Sequence, residues 1–148
     1  MAAGNWIIYS DFKATSYKKK MDLTADTVKV ILVTSSSNAI NANLVTAQYA
    51  TVTNEVANGL GYTTGGATAT TPAIAGGGAV ATTTFTTDNV TWTASGGSIV
   101  ARAAVMYDNT SANKDLIAYC LLDSTPADVT VPAGVTLTLQ TGTVFSAT

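Results

Sequence analysis

The chain has no histidine, one cysteine (Cys120), one arginine (Arg102) and three prolines in 148 residues. Each shortage removes a class of chemistry. Without histidine there is no side chain of ordinary near-neutral pKa to act as general base, no Ser-His-Asp arrangement, and the commonest metal ligand is missing. A single cysteine forbids an intrachain disulfide and, with histidine absent, a structural zinc site within one chain. Charge is also scarce, at 11% Asp, Glu, Lys and Arg against roughly 25% in an average soluble domain. The net charge of −2 and the pI near 4.7 argue against a nucleic-acid binder, which would carry a concentrated basic face. No apolar run approaches a membrane span, and the start MAAGNWIIYSDFK lacks the basic n-region and apolar h-region of a signal peptide. The expectation is a protein made in the cytoplasm, not secreted and not membrane-bound.

What remains is mild and β-prone. Mean hydropathy is positive, at +0.27, while the polar share is Thr, Ser, Asn and Gly rather than Lys and Glu. That surface fits an ordinary all-β protein with a Thr-rich exterior, and equally one that works packed against neighbours. A chain of this length suits one domain, residues 1–148, with room for a real core.

The stretch Ile99–Leu122 carries the strongest pattern. Two apolar runs rich in β-branched and aromatic residues flank the polar segment Asp108–Lys114, which predicts a β-hairpin. Neither run alternates with a clean polar face, so both faces of the hairpin are expected to be covered. Cys120 falls in its second strand, where a small buried hydrophobe is the simplest role. Asn5–Lys19 is the one helix predicted, because Trp6, Tyr9, Phe12/Lys13 and Ser16/Tyr17 recur at helical spacing. Lys18, Lys19 and Lys20 would then sit at its negative pole, as a solvated terminus or as a docking point for an acidic partner.

Thr27–Thr34 reads as a strong strand and Ser35–Asn43 as a loop. Leu44–Val56 fits a short helix in one half and a strand in the other. Asn58–Gly66 contains Gly59-x-Gly61, but Thr64 stands where a dinucleotide fingerprint needs its third glycine, so a glycine-bent loop is the reading. Thr68–Ile74 is an edge strand interrupted by Pro72, and Ala75–Gly78 turns the chain. Strands follow at Ala79–Thr87, Val90–Ala94, Val129–Val131, Val135–Gln140 and Thr143–Phe145. Eight to ten short strands with frequent turns describe a mainly β fold, an antiparallel β-sandwich of jelly-roll or Ig-like type over 22–148, with one N-terminal helix.

Catalytic candidates are few. Glu55, Asp108, Asp115, Asp123 and Asp128 are available as carboxylates, but most flank turns, where Asp serves local backbone bonding. No enzyme activity, cofactor or metal is expected. Arg102 stands mid-strand among Val100, Ala104 and Met106. It must reach water at a sheet rim, pair within the chain, or pair across a subunit interface.

Four segments in series, MDLTADTVKVILV (21–33), TNEVANGLGYTTGGAT (53–68), DNVTWTA (88–94) and IVARAAVMYDNTSANKDLIAYCLLD (99–123), resemble a family of small all-β structural proteins encoded in the virion modules of tailed bacteriophages. The resemblance departs from the family pattern at Thr141–Thr148, which is short of aromatics. It carries over no catalytic positions. It implies a virion protein, first a capsid decoration (cement) protein that bridges capsid subunits as a homotrimer. Its partners would be the major capsid protein or other virion proteins. The alternative within the family is a tail, collar or fibre adaptor. A carbohydrate-binding sandwich using Trp6, Trp92 or Tyr62 is a further alternative. The candidate contact residues are Trp6, Tyr9, Lys18, Lys19, Lys20, Arg102, Asn109 and Lys114.

Overall fold

A computed structural model describes residues 4–18, 21–77 and 80–147. The fold is mainly β, with twelve strands in antiparallel sheets and one short helix in the described residues, a sandwich-like arrangement. The principal sheet has five strands in the order β1-β9-β8-β2-β3: β1 (Ile7–Ile8), β2 (Val28–Val33), β3 (Ala67–Thr68), β8 (Ala103–Asp108) and β9 (Leu116–Leu121). Beside it lie three smaller sheets. In these, β4 (Ala73–Gly77) pairs with β5 (Val80–Thr86) and β5 with β12 (Thr143–Ala147), β6 (Val90–Thr93) pairs with β11 (Thr136–Leu139), and β7 (Ile99–Ala101) with β10 (Val129–Val131).

The hairpin expected at Ile99–Leu122 forms the centre, as β8 and β9. Every residue of β8 is buried, and β9 is buried up to Cys120, which follows from having no polar face. The first run is nonetheless divided. Ile99–Ala101 leaves to pair with β10, and the chain breaks at Arg102 before β8 begins. At the break the Arg102 N–H donates to the Val33 carbonyl (2.7 Å) and its carbonyl accepts from Leu122 (3.0 Å).

The predicted helix is half as long as expected. Asn5–Tyr9 is extended, and the helix α1 spans Ser10–Tyr17. Ile7 and Ile8 instead pair with Tyr119 and Ala118 of β9, flanked by bonds from Gly4 N–H to Leu121 O (2.8 Å) and Tyr9 N–H to Ile117 O (3.1 Å). Two β-branched residues beside an unfilled sheet edge gain ladder bonds and burial there, which outweighs a weak local helical preference. Tyr9 packs against Tyr119, with ring centroids 5.6 Å apart. Phe12 of α1 meets Phe145, which also meets Phe85, so the helix is pinned by aromatics onto the β5–β12 sheet.

Leu44–Val56 is neither the helix nor the strand: it is loop with a single 3-10 turn at Tyr49–Thr51. The strand β4 runs through Gly77 rather than turning at Ala75, with a bulge around Gly76; the end of the expected turn, Gly78, lies outside the described residues. Gly59-x-Gly61 is a bent loop. Gly61 takes φ +89 and approaches Thr93 so closely that a Cβ there would overlap its carbonyl. No helix of the described residues is long and apolar enough to cross a membrane.

Candidate functional site

The sequence-derived contact residues do not converge. Tyr9 is fully buried, its hydroxyl donating to the Ala39 carbonyl, so it is withdrawn from any surface available to a partner. Arg102 is likewise buried at 8% exposure. Its Nη1 donates to the carbonyls of Asp123 (2.9 Å) and Ala127 (3.1 Å), so its partners among the described residues are backbone carbonyls rather than a carboxylate, and it ties down the 123–127 loop. Lys18 is exposed just past α1; Lys19 and Lys20 lie outside the described residues. Asn109 is half-buried and Lys114 exposed, and the Lys114 ammonium lies 5.6 Å from the Tyr49 ring centroid, within cation–π range.

Three features of the described residues remain as candidate sites. The first is a carboxylate held by tyrosines. Glu55 accepts from the Tyr49 hydroxyl (2.8 Å), the Tyr62 hydroxyl (2.7 Å) and the Gly65 N–H (2.7 Å). Tyr107 stacks on Tyr49 with centroids 4.8 Å apart and donates to the Gly65 carbonyl at 2.9 Å. Glu55 was recognisable as a lone carboxylate in a Thr-, Asn- and Gly-rich loop. That Tyr49, Tyr62 and Tyr107 would gather round it was not, since they come from three separate segments. Both carboxylate oxygens are engaged by the loop and its neighbours, so this centre anchors the 54–66 loop.

Burial, and then the Glu55 carboxylate, push the Tyr62 and Tyr49 phenols above their ordinary value, and Tyr107 is pushed up to about 12 by the same causes in the same order. The fold therefore favours the neutral phenols. That contribution is complete below the unfolded value of 10.0 and is lost as pH rises toward about 12. Phenolate absorbance in an alkaline titration should rise together with the loss of near-ultraviolet circular dichroism. Tyrosines ionising well before the structure melts would contradict this.

The second feature is an apolar groove of about 340 Å³ on the outside of the same loop, lined by Val56, Leu60, Ile99 and Val100 among others. Leu60 and Val100 are 51% and 40% exposed. Leu60 adopts φ +55, a conformation bulky side chains take at a cost of about 1 kcal/mol or more. Its carbonyl accepts from Ser95, and the adjoining Ala94 donates to Val135, another exposed apolar residue. Leu60 and Val100 share this groove, and Val135 is a further exposed apolar residue reached through the Ala94 bond.

The third is a wider cleft of about 740 Å³ between the N-terminal segment and residues 137–146, where Trp6, Leu122, Val129 and Gln140 are among the lining residues and none of the described ones is charged. Trp6 is half-buried there, whereas Trp92 and Tyr62 are buried at 5% and 2% exposure. Two of the three aromatics considered for sugar stacking are therefore core residues.

No protein-family model, curated protein or solved structure matches this chain.

Proposed function

We propose that the protein is a non-catalytic structural component of a phage virion, a capsid decoration (cement) protein that docks on capsid subunits as a homotrimer. The observation that carries this reading is the apolar groove at which Leu60 and Val100 are both exposed. A bulky residue held in a strained conformation, its side chain laid over Gly97 and still half exposed, is more economically explained by an interface than by folding. The low charge of the chain suits the same role, because little desolvation of charge opposes docking. Each copy would contribute a modest area, and a symmetric oligomer touching several subunits gains by multivalency.

Two measurements test this. Quantitative mass spectrometry of purified virions should find the protein in many copies per particle; a few copies, as at one vertex or the tail, would favour the adaptor reading instead. Leu60→Glu with Val100→Glu should weaken binding to particles at least about tenfold, since burying one such side chain is worth roughly 1.5–3 kcal/mol. Leu60→Gly should lose affinity too, while the isolated protein keeps its stability or gains about 0.5–1 kcal/mol from the relieved backbone. Unchanged binding by all of these variants would remove the groove from the interface.

A second reading, a carbohydrate-binding module, is favoured by the cleft alone. An uncharged polar lining beside one indole is the chemistry that takes a neutral saccharide. Calorimetric titration with neutral hexose oligosaccharides should then show binding that Trp6→Ala abolishes; absence of heat with all of them would dismiss it.

A further inference from the structure

Asp108, the last residue of β8, is completely buried. Its Oδ1 accepts from the N–H groups of Thr110 (2.8 Å) and Ser111 (3.1 Å). Its Oδ2 is sealed from solvent and has no hydrogen-bond partner, the costly condition for an ionised oxygen. What lies beside it is fixed by two bonds: Thr27 N–H donates to Thr110 Oγ1 and Asn109 N–H donates to the Thr27 carbonyl, each at 2.8 Å. These strap the chain at residue 27 onto the β8–β9 loop and bring the preceding carboxyl, Asp26, against Asp108. Asp26 in turn closes its own turn, its Oδ2 accepting from Asp22 N–H at 2.7 Å.

The other charged groups nearby among the described residues do not hydrogen-bond this pair. Lys29 on β2 stands opposite Tyr107, one position along from the Val28–Asp108 pair. Across the hairpin Asp115 offers Asp108 only its backbone carbonyl, and Lys114 is directed toward the Tyr49 ring. Asp22 adds a further acidic group on the turn. No lysine or arginine hydrogen-bonds Asp108 among the described residues, and no three carboxylates come together there as a metal site.

We propose that Asp108 and Asp26 hold one proton between them, with Asp108 Oδ2–H donating to the Asp26 carboxylate, and that this shared proton latches the 22–26 turn to the β8–β9 loop. The proton supplies the donor that Oδ2 lacks and removes the repulsion of two adjacent carboxylates. Burial, the larger cause, and Asp26 both raise Asp108 above the ordinary carboxylate range, while the two N–H bonds to Oδ1 act in the opposite direction. The sign follows. A carboxyl raised in the fold stabilises most below its unfolded value of 3.8, and that stabilisation fades as pH rises through the folded value. The latch is shut in acid and released toward neutral pH, freeing a loop that carries Asn109 and Lys114. It is a property of the chain itself and holds whatever surface the protein docks to.

Carboxyl carbon NMR titration of the whole labelled protein tests it directly. Asp108 should titrate in an upper step, above the ordinary carboxylate range. Across the upper step, the protection of the Asn109 and Thr27 amides, corrected for intrinsic exchange, should fall about tenfold for each unit by which the pKa is raised. Asp108→Asn, whose amide donates to Asp26 at every pH, should make that protection independent of pH, and Asp26→Asn, which removes the neighbouring carboxylate but not the burial, should lower the Asp108 step part of the way. A single ordinary titration of Asp108 in the wild-type protein would overturn the latch. So would recovery of amide protection at neutral pH on adding calcium, which would show that a cation occupies the site.

Discussion

Gly66→Ala should destabilise the protein by about 3 kcal/mol or more, the range reserved for backbone strain combined with steric overlap. Gly66 has φ +72, and a Cβ built on it would collide with the Val30 carbonyl and stand 2.9 Å from the Ile31 Cα. Both belong to β2. That strand cannot move aside, because β8 pairs with it residue by residue from Val28 to Val33 while Ala67, next to Gly66, pairs with Val30 on the other edge. Gly96 is the control. It also has positive φ, at +75, but nothing lies within 4 Å of the added carbon, so Gly96→Ala should cost only about 1 kcal/mol. Urea unfolding of the two variants measures the difference. Equal midpoints would mean that the loop is not seated on β2 as described.

Glu55→Ala should cost about 3 kcal/mol as well, for an electrostatic reason. One carboxylate satisfies two tyrosine hydroxyls and the Gly65 N–H, and hydrogen bonds to a charged group contribute roughly 1.5–3 kcal/mol each before the neighbours relax. Truncation leaves the hydroxyl of Tyr62, a residue only 2% exposed, without its acceptor. Tyr62→Phe removes two bonds, the one donated to Glu55 and the one accepted from the Leu32 N–H, and should cost about 1–2 kcal/mol. The double variant should be less destabilised than the sum, since the two residues share the interaction. Strict additivity in the cycle would mean that Glu55 is solvated and that the tyrosines find other partners.

These two positions lie within one segment, Thr53–Thr68, and they mark how far sequence reasoning reached. The glycines of NGLGYTTGG announced a bent loop through their need for positive φ, and the loop is there. Which glycine was indispensable could not be read, because Gly61 and Gly66 are constrained by carbonyls of Thr93 and Val30, far away in the chain. The same holds for Asp108. Its place at a turn was evident, but the burial of one carboxyl oxygen beside Asp26 depends on two backbone bonds joining residue 27 to residues 109 and 110. Asn5–Tyr9 failed for a related reason: the helical spacing of Trp6 and Tyr9 was real, and the open edge of β9 overrode it.

Composition and local pattern by themselves determined that the chain would be mainly β, that β8 and β9 would be buried on both faces, and that the usual histidine, disulfide and zinc chemistries had no residues to build them. Those properties depend on residue type and on spacing within a few positions, which tertiary contacts rarely reverse in long apolar strands. Only the tertiary structure decided that Arg102 would serve a loop, that three tyrosines would gather round Glu55, that Leu60 would be left strained and half exposed, and that Asp108 Oδ2 would be buried without a hydrogen-bond partner. Each depends on which distant backbone groups arrive at one place, and long-range pairing across the sheets sets that.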